Sequence, residues 1–521
     1  MPQISLAEIV SLRLECEINP SFLHMSTHAR ILDRWAGECS GGSKMSIEAP
    51  DRGKLYTNPR VMVLALDAML IMLGFGIVAP SMSYYLIALE GGLTQPPGPG
   101  YIVPGDVVAS FSVILGVMMA AFMATRTLLA RYWGGVSDDK GRKPIILIGL
   151  SGYILLLVFF GLAQNWIHLL LIRGFQGVVS AMVWPTAEAA LMDIVGKKRR
   201  AEGLGLYMVV SNLGFVLGPG VGGLLYNFCR DSLLLPVPDV FRVPYFIGAL
   251  ITVPAVVLTW FVLKESAPNK IRSLHLDKAA VKANPHDPPS EGSIPLEPPQ
   301  VAPPLSPRRR RMIHALYLMA AFNGLAMGLG QPIFQLFLMS RITTDIGLIG
   351  LVTSGAGAVG MLFSIPAGRY ADRRGRKGIA VWGAVGARGA LGALPLTTDL
   401  AQTSAAWVAQ SATLAVSQPA LRAIQADIVP WHLRGKLFGT IQACFNAGAT
   451  LGPLIGGVLY ATFSLAVFHL GPFVIEGLVL PFWLAAGLGL VGAFLLWRFV
   501  DETYSLKVLP ADEQETNLDV T

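Results

Sequence analysis

At 521 residues, with 53% hydrophobic and 14% charged side chains, the chain lacks the polar surface that a water-soluble globule of its size needs. A mean hydropathy of +0.55 and 56 glycines exclude a disordered chain, a coiled coil and a soluble enzyme with an ordinary surface. The four cysteines (Cys16, Cys39, Cys229, Cys444) are too scattered for a disulfide framework or a zinc site. The chain reads as an integral membrane protein.

Residues 1–60 hold only short apolar stretches broken by Arg13, Glu15 and Glu17, unlike a signal peptide. They read as a cytoplasmic extension, or as sequence ahead of the true start. A bilayer core about 30 Å thick takes roughly 20 apolar residues per helix. Twelve windows qualify: 61–87, 106–133, 144–163, 166–195, 203–227, 244–263, 313–340, 346–370, 378–396, 402–430, 437–463 and 472–500. The fourth and tenth are long enough to project beyond the lipid. The ninth, rich in Ala and Gly with Arg388 inside it, is the weakest. No period-two alternation speaks for a β-barrel. The expected fold class is an all-α integral membrane protein, with twelve transmembrane helices in two pseudo-symmetric six-helix lobes, 61–263 and 313–500. A Pro- and Arg-rich segment, 264–312, reads as a flexible cytoplasmic linker, and 501–521 as a cytoplasmic tail.

Lys and Arg set the topology. Arg131, Lys140, Arg142, Lys143, the run 197–200, the run 308–311, the cluster 369–377, Arg434 and Lys436 all fall in loops on one side. The other side offers Arg230, Arg242 and Arg341. Both termini are therefore expected in the cytoplasm, with the protein multi-pass in a plasma (cell inner) membrane. The net charge of +7 is this bias, not a nucleic-acid footprint.

The halves repeat. GGVSDDKGRK (134–143) recurs as GRYADRRGRK (368–377), 234 residues later. Pro185 and Pro419, Asp193 and Asp427, Gly214 and Gly448, and Pro219 and Pro453 show the same offset. The first hairpins break the register: Pro80 matches Pro332, and the first outer loop (88–105) is longer and rich in Pro and Gly. Parallel six-helix repeats suit a transporter whose substrate site lies between two rocking lobes.

On these residues the chain resembles the major facilitator superfamily along all twelve windows. Gly134, Asp138, Gly141, Arg142 and Lys143 fit that family's loop signature, with Asp139 standing where a basic residue is usual. The second copy, Gly368, Asp372, Arg373, Gly375, Arg376 and Lys377, fits throughout. A carboxylate here can accept from backbone N–H groups at a neighbouring helix N-terminus, and the adjacent cations can pair with Asp193 and Asp427. The resemblance implies a conformational latch; the alternative is that these charges only set topology.

The fifth window carries Gly205, Gly214, Gly218, Pro219, Gly222 and Gly223, which looks like the family's drug-antiporter glycine motif. Gly439, Gly448, Gly452, Pro453, Gly456 and Gly457 repeat it. Small residues at four-residue spacing let helices approach closely, and Pro loosens the backbone. Tight packing and gating both explain the pattern.

Two charges fall at membrane depth. Asp67 lies in LDAMLIMLGFGIVAP (66–80), which looks like the first helix of tetracycline and multidrug exporters. A desolvated carboxyl holds a proton more readily, so Asp67 is the candidate coupling site unless it caps locally near the interface. Arg173, with Gln176 and Gly177, resembles the family's fourth-helix R-x-x-Q-G motif and is expected close enough to Asp67 to tune it, unless it snorkels. Asn323, Gln331 and Gln335 are candidates to line a cavity or to hydrogen-bond between helices. Arg126, Glu188 and Arg422 read as interfacial anchors or lobe contacts, Glu476 as a solvated residue at the outer end of the twelfth window; Arg388 has no account.

No Walker-type loop, catalytic triad or metal-ligand cluster is present, so the chain reads as no enzyme and as needing no cofactor or metal. The expected function is a proton-coupled antiporter exporting a small amphipathic or aromatic compound by alternating access. The expected partners are that small-molecule substrate, protons and the lipid bilayer, with the protein a monomer. An uptake carrier for a sugar or organic acid, and a non-transporting receptor or scaffold on the same fold, are the competing readings.

Overall fold

The computed structural model describes residues 55–196, 199–267, 306–428, 434–470 and 473–502. Nearly all of the expected extension, most of the linker and the tail from 503 lie outside the described residues.

Helix α1 (Pro59–Val78) begins where Asn58 accepts from the Arg60 amide at 3.1 Å and Pro59 takes the first helical position. It ends ahead of Pro80, and a short α2 (Met82–Leu89) follows. The first window is thus a broken helix, because Pro80 has no N–H to continue the ladder. The first lobe continues with α3 (Gly105–Lys140), α4 (Arg142–Gly161), α5 (Trp166–Val195), α6 (Arg200–Asp231) and α7 (Asp239–Val262). The second comprises α8 (Pro307–Phe337), α9 (Ile346–Arg374), α10 (Lys377–Ala393), α11 (Leu400–Ile428), α12 (Arg434–Phe463) and α13 (Val479–Phe499).

Eleven helices of the described residues are long and apolar enough to cross a membrane. The long helix outside that set is α11, not the Ala- and Gly-rich ninth window. Gln402, Thr403, Ser404, Gln410, Ser411, Thr413, Ser417, Gln418 and Arg422 dilute its apolar character. A second difference lies at the twelfth window. Its first described residues form a strand, β2 (Phe473–Glu476), antiparallel to β1 (Val467–Leu470) just ahead of the window, with Val467 facing Glu476. Glu476 therefore sits on a strand, where it forms an exposed ion pair with Arg341 at 2.6 Å.

The Lys/Arg-rich loops define a basic face of the bundle. The lobes meet along α6 against α9 and α3 against α12, and the two seams share one geometry. A Cβ on Gly223 would stand 2.5 Å from the Ile346 carbonyl oxygen, and one on Gly457 2.5 Å from that of Ser112. Gly350 abuts the Pro219 carbonyl just as Gly116 abuts that of Pro453. Every one of these residues has its counterpart 234 positions away, so the repeat seen in sequence reappears as repeated contacts. Helices α1 and α8 keep the offset of 252 that Pro80 and Pro332 share. The 18-residue difference is taken up in the first outer loop.

That longer loop ties the lobes together at the face opposite the basic one. Pro97 accepts from Tyr226 at 3.0 Å and Arg230 at 3.1 Å, both of α6. Gly98 accepts from Thr344 of the other lobe at 3.0 Å, and the Val103 amide donates to the Met339 carbonyl at 3.1 Å. Tyr84 donates to the Thr343 carbonyl and Asn227 to Asp345. The described hydrogen bonds between lobes cluster here, and the molecule is closed at this face.

Candidate functional site

The glycine motif forms two ladders. In the first lobe, side chains at Gly214 and Gly222 would overlap the Met69 and Ile77 carbonyls of α1, and Gly218 lies against Gly76 and Leu73. In the second lobe, Gly448, Gly452 and Gly456 meet Ala321, Leu325 and Leu329 of α8 in the same way. Adjacent glycines then face opposite partners: Gly222 serves its own lobe and Gly223 the other, as do Gly456 and Gly457. Pro219 and Pro453 present their carbonyls to the opposite lobe. Gly205 and Gly439 have open space around them and take no part in either ladder.

The loop signatures turn on glycines in the left-handed region, Gly141 at φ 109° and Gly375 at φ 108°, where a side chain would be strained. Arg142 pairs with Asp138 at 2.6 Å and Asp193 at 3.3 Å. Arg376 pairs with Asp372 at 2.8 Å and closely with Asp427. Burial pulls the Arg376 guanidinium down, and Asp372 and Asp427 more than offset this, holding it above its ordinary value. The expected arginine–carboxylate pairs are therefore formed.

The helix N-termini beside these loops are held by other residues than expected. Glu265 Oε1 accepts from the Arg142 amide at 2.7 Å and from Ser266 and Ala267 at 2.9 Å. Glu502 accepts from the Arg376 amide at 3.1 Å and the Lys377 amide at 3.0 Å. Asp138 and Asp372 are instead half-exposed partners in the last turns of α3 and α9. Sequence reading missed the two glutamates, although Lys264-Glu265-Ser266 and Asp501-Glu502-Thr503 sit 237 residues apart, just off the main repeat. Gly134 and Gly368 lie near the ends of α3 and α9, with little packed against them.

Asp67 is 3% exposed, in a cluster of α1, α4, α5, α6 and α7 side chains that includes Ile71, Leu150, Ala187 and Ala255. Thr259 of α7 donates to its Oδ2, and Oδ1 has no hydrogen-bond partner among the described residues. Local capping near the interface does not describe this geometry.

Arg173 is also buried, but it does not meet Asp67. Its guanidinium stands 5.5 Å from the ring of Phe75 and 5.7 Å from that of Phe160, and it donates to Gln176 at 3.0 Å. Phe75 lies eight residues beyond Asp67 on α1, about 12 Å along the helix. The expected tuning contact is absent because the aromatic faces hold the cation at another level. Gly177 packs where a Cβ would overlap Thr125, bringing α5 against α3.

The three amides separate. Asn323 accepts from Arg388 at 3.0 Å, and Gly489 leaves room for that arginine's side chain. This is a physical place for Arg388: an α10 cation seated between α8 and α13. Gln335 joins the lobes, accepting from Ser83 at 2.9 Å and donating to the Ala79 carbonyl at 3.2 Å, a group freed by the break at Pro80. Gln331 is exposed. Glu188 is half-buried with Arg126 of its own lobe and Arg422 of the other within Coulombic reach, as a lobe contact would be.

Comparison with known proteins bears on this arrangement. A family model described as Major Facilitator Superfamily matches residues 64–315 and 316–520. Quinolone resistance protein NorA of Staphylococcus aureus is 30% identical over 194 residues, covering 37% of this chain and 42% of NorA. The chain thus matches less than half the length of that relative. Multidrug resistance protein 2 of Bacillus subtilis is 26% identical over 430 residues, covering 80% of this chain and 95% of the relative. Among solved structures, the xylose transporter XylE of E. coli aligns with TM-score 0.59 at 14% identity, over 88% of this chain and 98% of XylE. The human organic anion transporter MFSD10 aligns with TM-score 0.53 at 20% identity, over 84% of this chain and 99% of that one. At such identities both structures speak for the fold alone.

Proposed function

The chain belongs to the major facilitator superfamily, and on that footing we propose that it exports a small amphipathic or aromatic, drug-like compound in exchange for protons. The observation that carries this reading is Asp67. It is a carboxyl deep in the first lobe whose described partner is a neutral hydroxyl rather than a cation. Such a group is stable when protonated and costly when charged and dry, so proton release goes with access to water. The resemblance to two resistance proteins supports export of drug-like compounds.

In this reading the basic face, with both termini, is cytoplasmic. The protein lies in a cell's inner membrane, works as a monomer, and is in a state open toward the cytoplasm. Arg173 and Gln176 line the route at another level from Asp67, and the glycine seams are the surfaces that part when the lobes rock. Gln335 belongs to the closed gate; Gln331 faces the substrate path. The Arg142 and Arg376 pairs lie within their own lobes and are formed in this state, so a latch on the opposite state needs these loops to make contacts across the lobes there.

Gradient-driven uptake into inverted vesicles tests the reading, with a panel of dyes and antibiotics and an imposed inside-acid gradient. Wild type should accumulate substrate. Asp67→Asn should lose accumulation yet keep counterflow at equal pH, which reports intact binding. Accumulation driven only by the reverse gradient would establish uptake instead, and accumulation by Asp67→Asn would place the proton site elsewhere.

A further inference from the structure

The two lobes differ at a point where their sequences match. Lys143 and Lys377 close the two copies of the loop signature. Lys143 Nζ donates to the Trp260 carbonyl of α7 at 2.7 Å. The Lys377 ammonium has no partner among the described residues, and beside it a groove of about 570 Å³ opens between α10 and α13. Val381, Trp382, Val385, Leu490, Phe494 and Trp497 form its apolar walls. Trp382 is 74% and Trp497 57% exposed, so both lie on the outside of the bundle.

Lys377 and Glu502 mark the basic-face end of the groove. Glu502 is engaged by the Arg376 and Lys377 amides, which it caps, leaving the lysine side chain as the group that can meet an anion. Arg373 and Arg374 just before it, and Arg498 in the last turn of α13, are exposed and extend the positive field. An apolar length in the bilayer core with a cation at headgroup level has the polarity of a lipid, and tryptophans flank such interfaces.

We propose that this groove holds an anionic phospholipid of the basic-face leaflet, with an acyl chain along Trp382 and Trp497 and its phosphate on Lys377. In the equivalent place of the first lobe the Trp260 carbonyl takes one N–H of the Lys143 ammonium and draws that cation onto α7.

The test uses the full chain in phosphatidylcholine vesicles carrying either brominated phosphatidylglycerol or brominated phosphatidylcholine, whose bromines quench nearby tryptophans. The double variant Trp382→Phe/Trp497→Phe supplies the background of the other tryptophans. Brominated phosphatidylglycerol should half-quench the groove signal at about one-fifth the mole fraction needed for phosphatidylcholine, the factor that one lysine at an anionic headgroup is worth. Lys377→Gln should abolish that preference, whereas Lys377→Arg and Lys143→Gln should keep it. Equal quenching by the two lipids would overturn the proposal. So would a preference that survives Lys377→Gln, or one lost equally in Lys143→Gln, which would mark general surface charge.

Discussion

The glycines that face across the lobes offer a perturbation whose size follows from their packing. A methyl at Gly223 would stand 2.5 Å from the Ile346 carbonyl oxygen and 3.0 Å from the Gly347 Cα. Both are backbone atoms and cannot rotate aside. Reaching ordinary van der Waals separation requires α6 and α9 to part by about 1 Å. Overpacking of this kind costs about 1–3 kcal/mol. Because Ile346 belongs to the other lobe, the cost falls only on the state closed at this face. A ligand-free bias of that size shifts the two-state equilibrium by about 5- to 150-fold toward opening there. Gly457→Ala should act alike through Ser112, also 2.5 Å away. Spin labels at the exposed Leu234 and Leu465, one in each lobe, report the change as a longer inter-label distance by pulsed electron resonance. Gly205→Ala and Gly439→Ala, with nothing near them, are the matched controls. Unchanged distances in Gly223→Ala, or an equal change in Gly205→Ala, would refute the reasoning.

Two further predictions concern the basic-face loops. Asp138→Asn should slow transport strongly and Asp372→Asn less, because Arg376 keeps a close Asp427 while Arg142 reaches Asp193 at 3.3 Å; transport rates at matched expression decide it. Glu265→Gln exchanges a charge-assisted cap on three amides for a neutral one and should lower unfolding stability by about 1–2 kcal/mol, read as a fall in melting temperature in detergent; Glu90→Gln, at a residue that caps the single exposed Trp166 amide at 2.8 Å, should lower it less.

Span positions and the internal repeat were legible because the bilayer imposes length and apolarity on every helix, and because duplicated helices must satisfy duplicated contacts. The glycine motifs were legible as close packing, but their division between own-lobe and cross-lobe partners was not. Gly222 and Gly223 are identical letters, and only the α6 orientation decides which meets Ile77 and which meets Ile346. Glu265 and Glu502 escaped notice since a capping carboxylate is recognised by the amides it meets, and those lie 123 and 126 residues away in sequence. The Asp67–Arg173 pairing failed for a related reason. Charge and approximate depth suggested attraction, whereas Phe75 and Phe160 fix the guanidinium elsewhere. Arg388 became intelligible only with Asn323 and Gly489, residues with nothing in their spacing to join them.

Asp67 and Arg173 do not touch, so on the proposed reading, in which Asp67 carries the proton, its occupancy reaches the lobe seam by another path, and α1 supplies one. Asp67 bonds α7 through Thr259, while two residues later Met69 begins the row of α1 carbonyls beneath Gly214, Gly218 and Gly222. The far side of α6 carries Pro219 and Gly223 against α9. A change in how α1 sits against α7 is therefore passed to the seam through one packed helix. Contiguity alone does not establish coupling; a double-mutant cycle does. Opening free energies from the Leu234–Leu465 distances, measured for wild type, Asp67→Asn, Gly223→Ala and the double variant, should depart from additivity by about 1 kcal/mol or more, the scale of coupling between linked sites. The cycle with Gly457→Ala, whose seam contacts the first lobe through α3, should be closer to additive. If the Gly223 cycle adds within about 0.5 kcal/mol, the range for independent sites, α1 does not carry the signal.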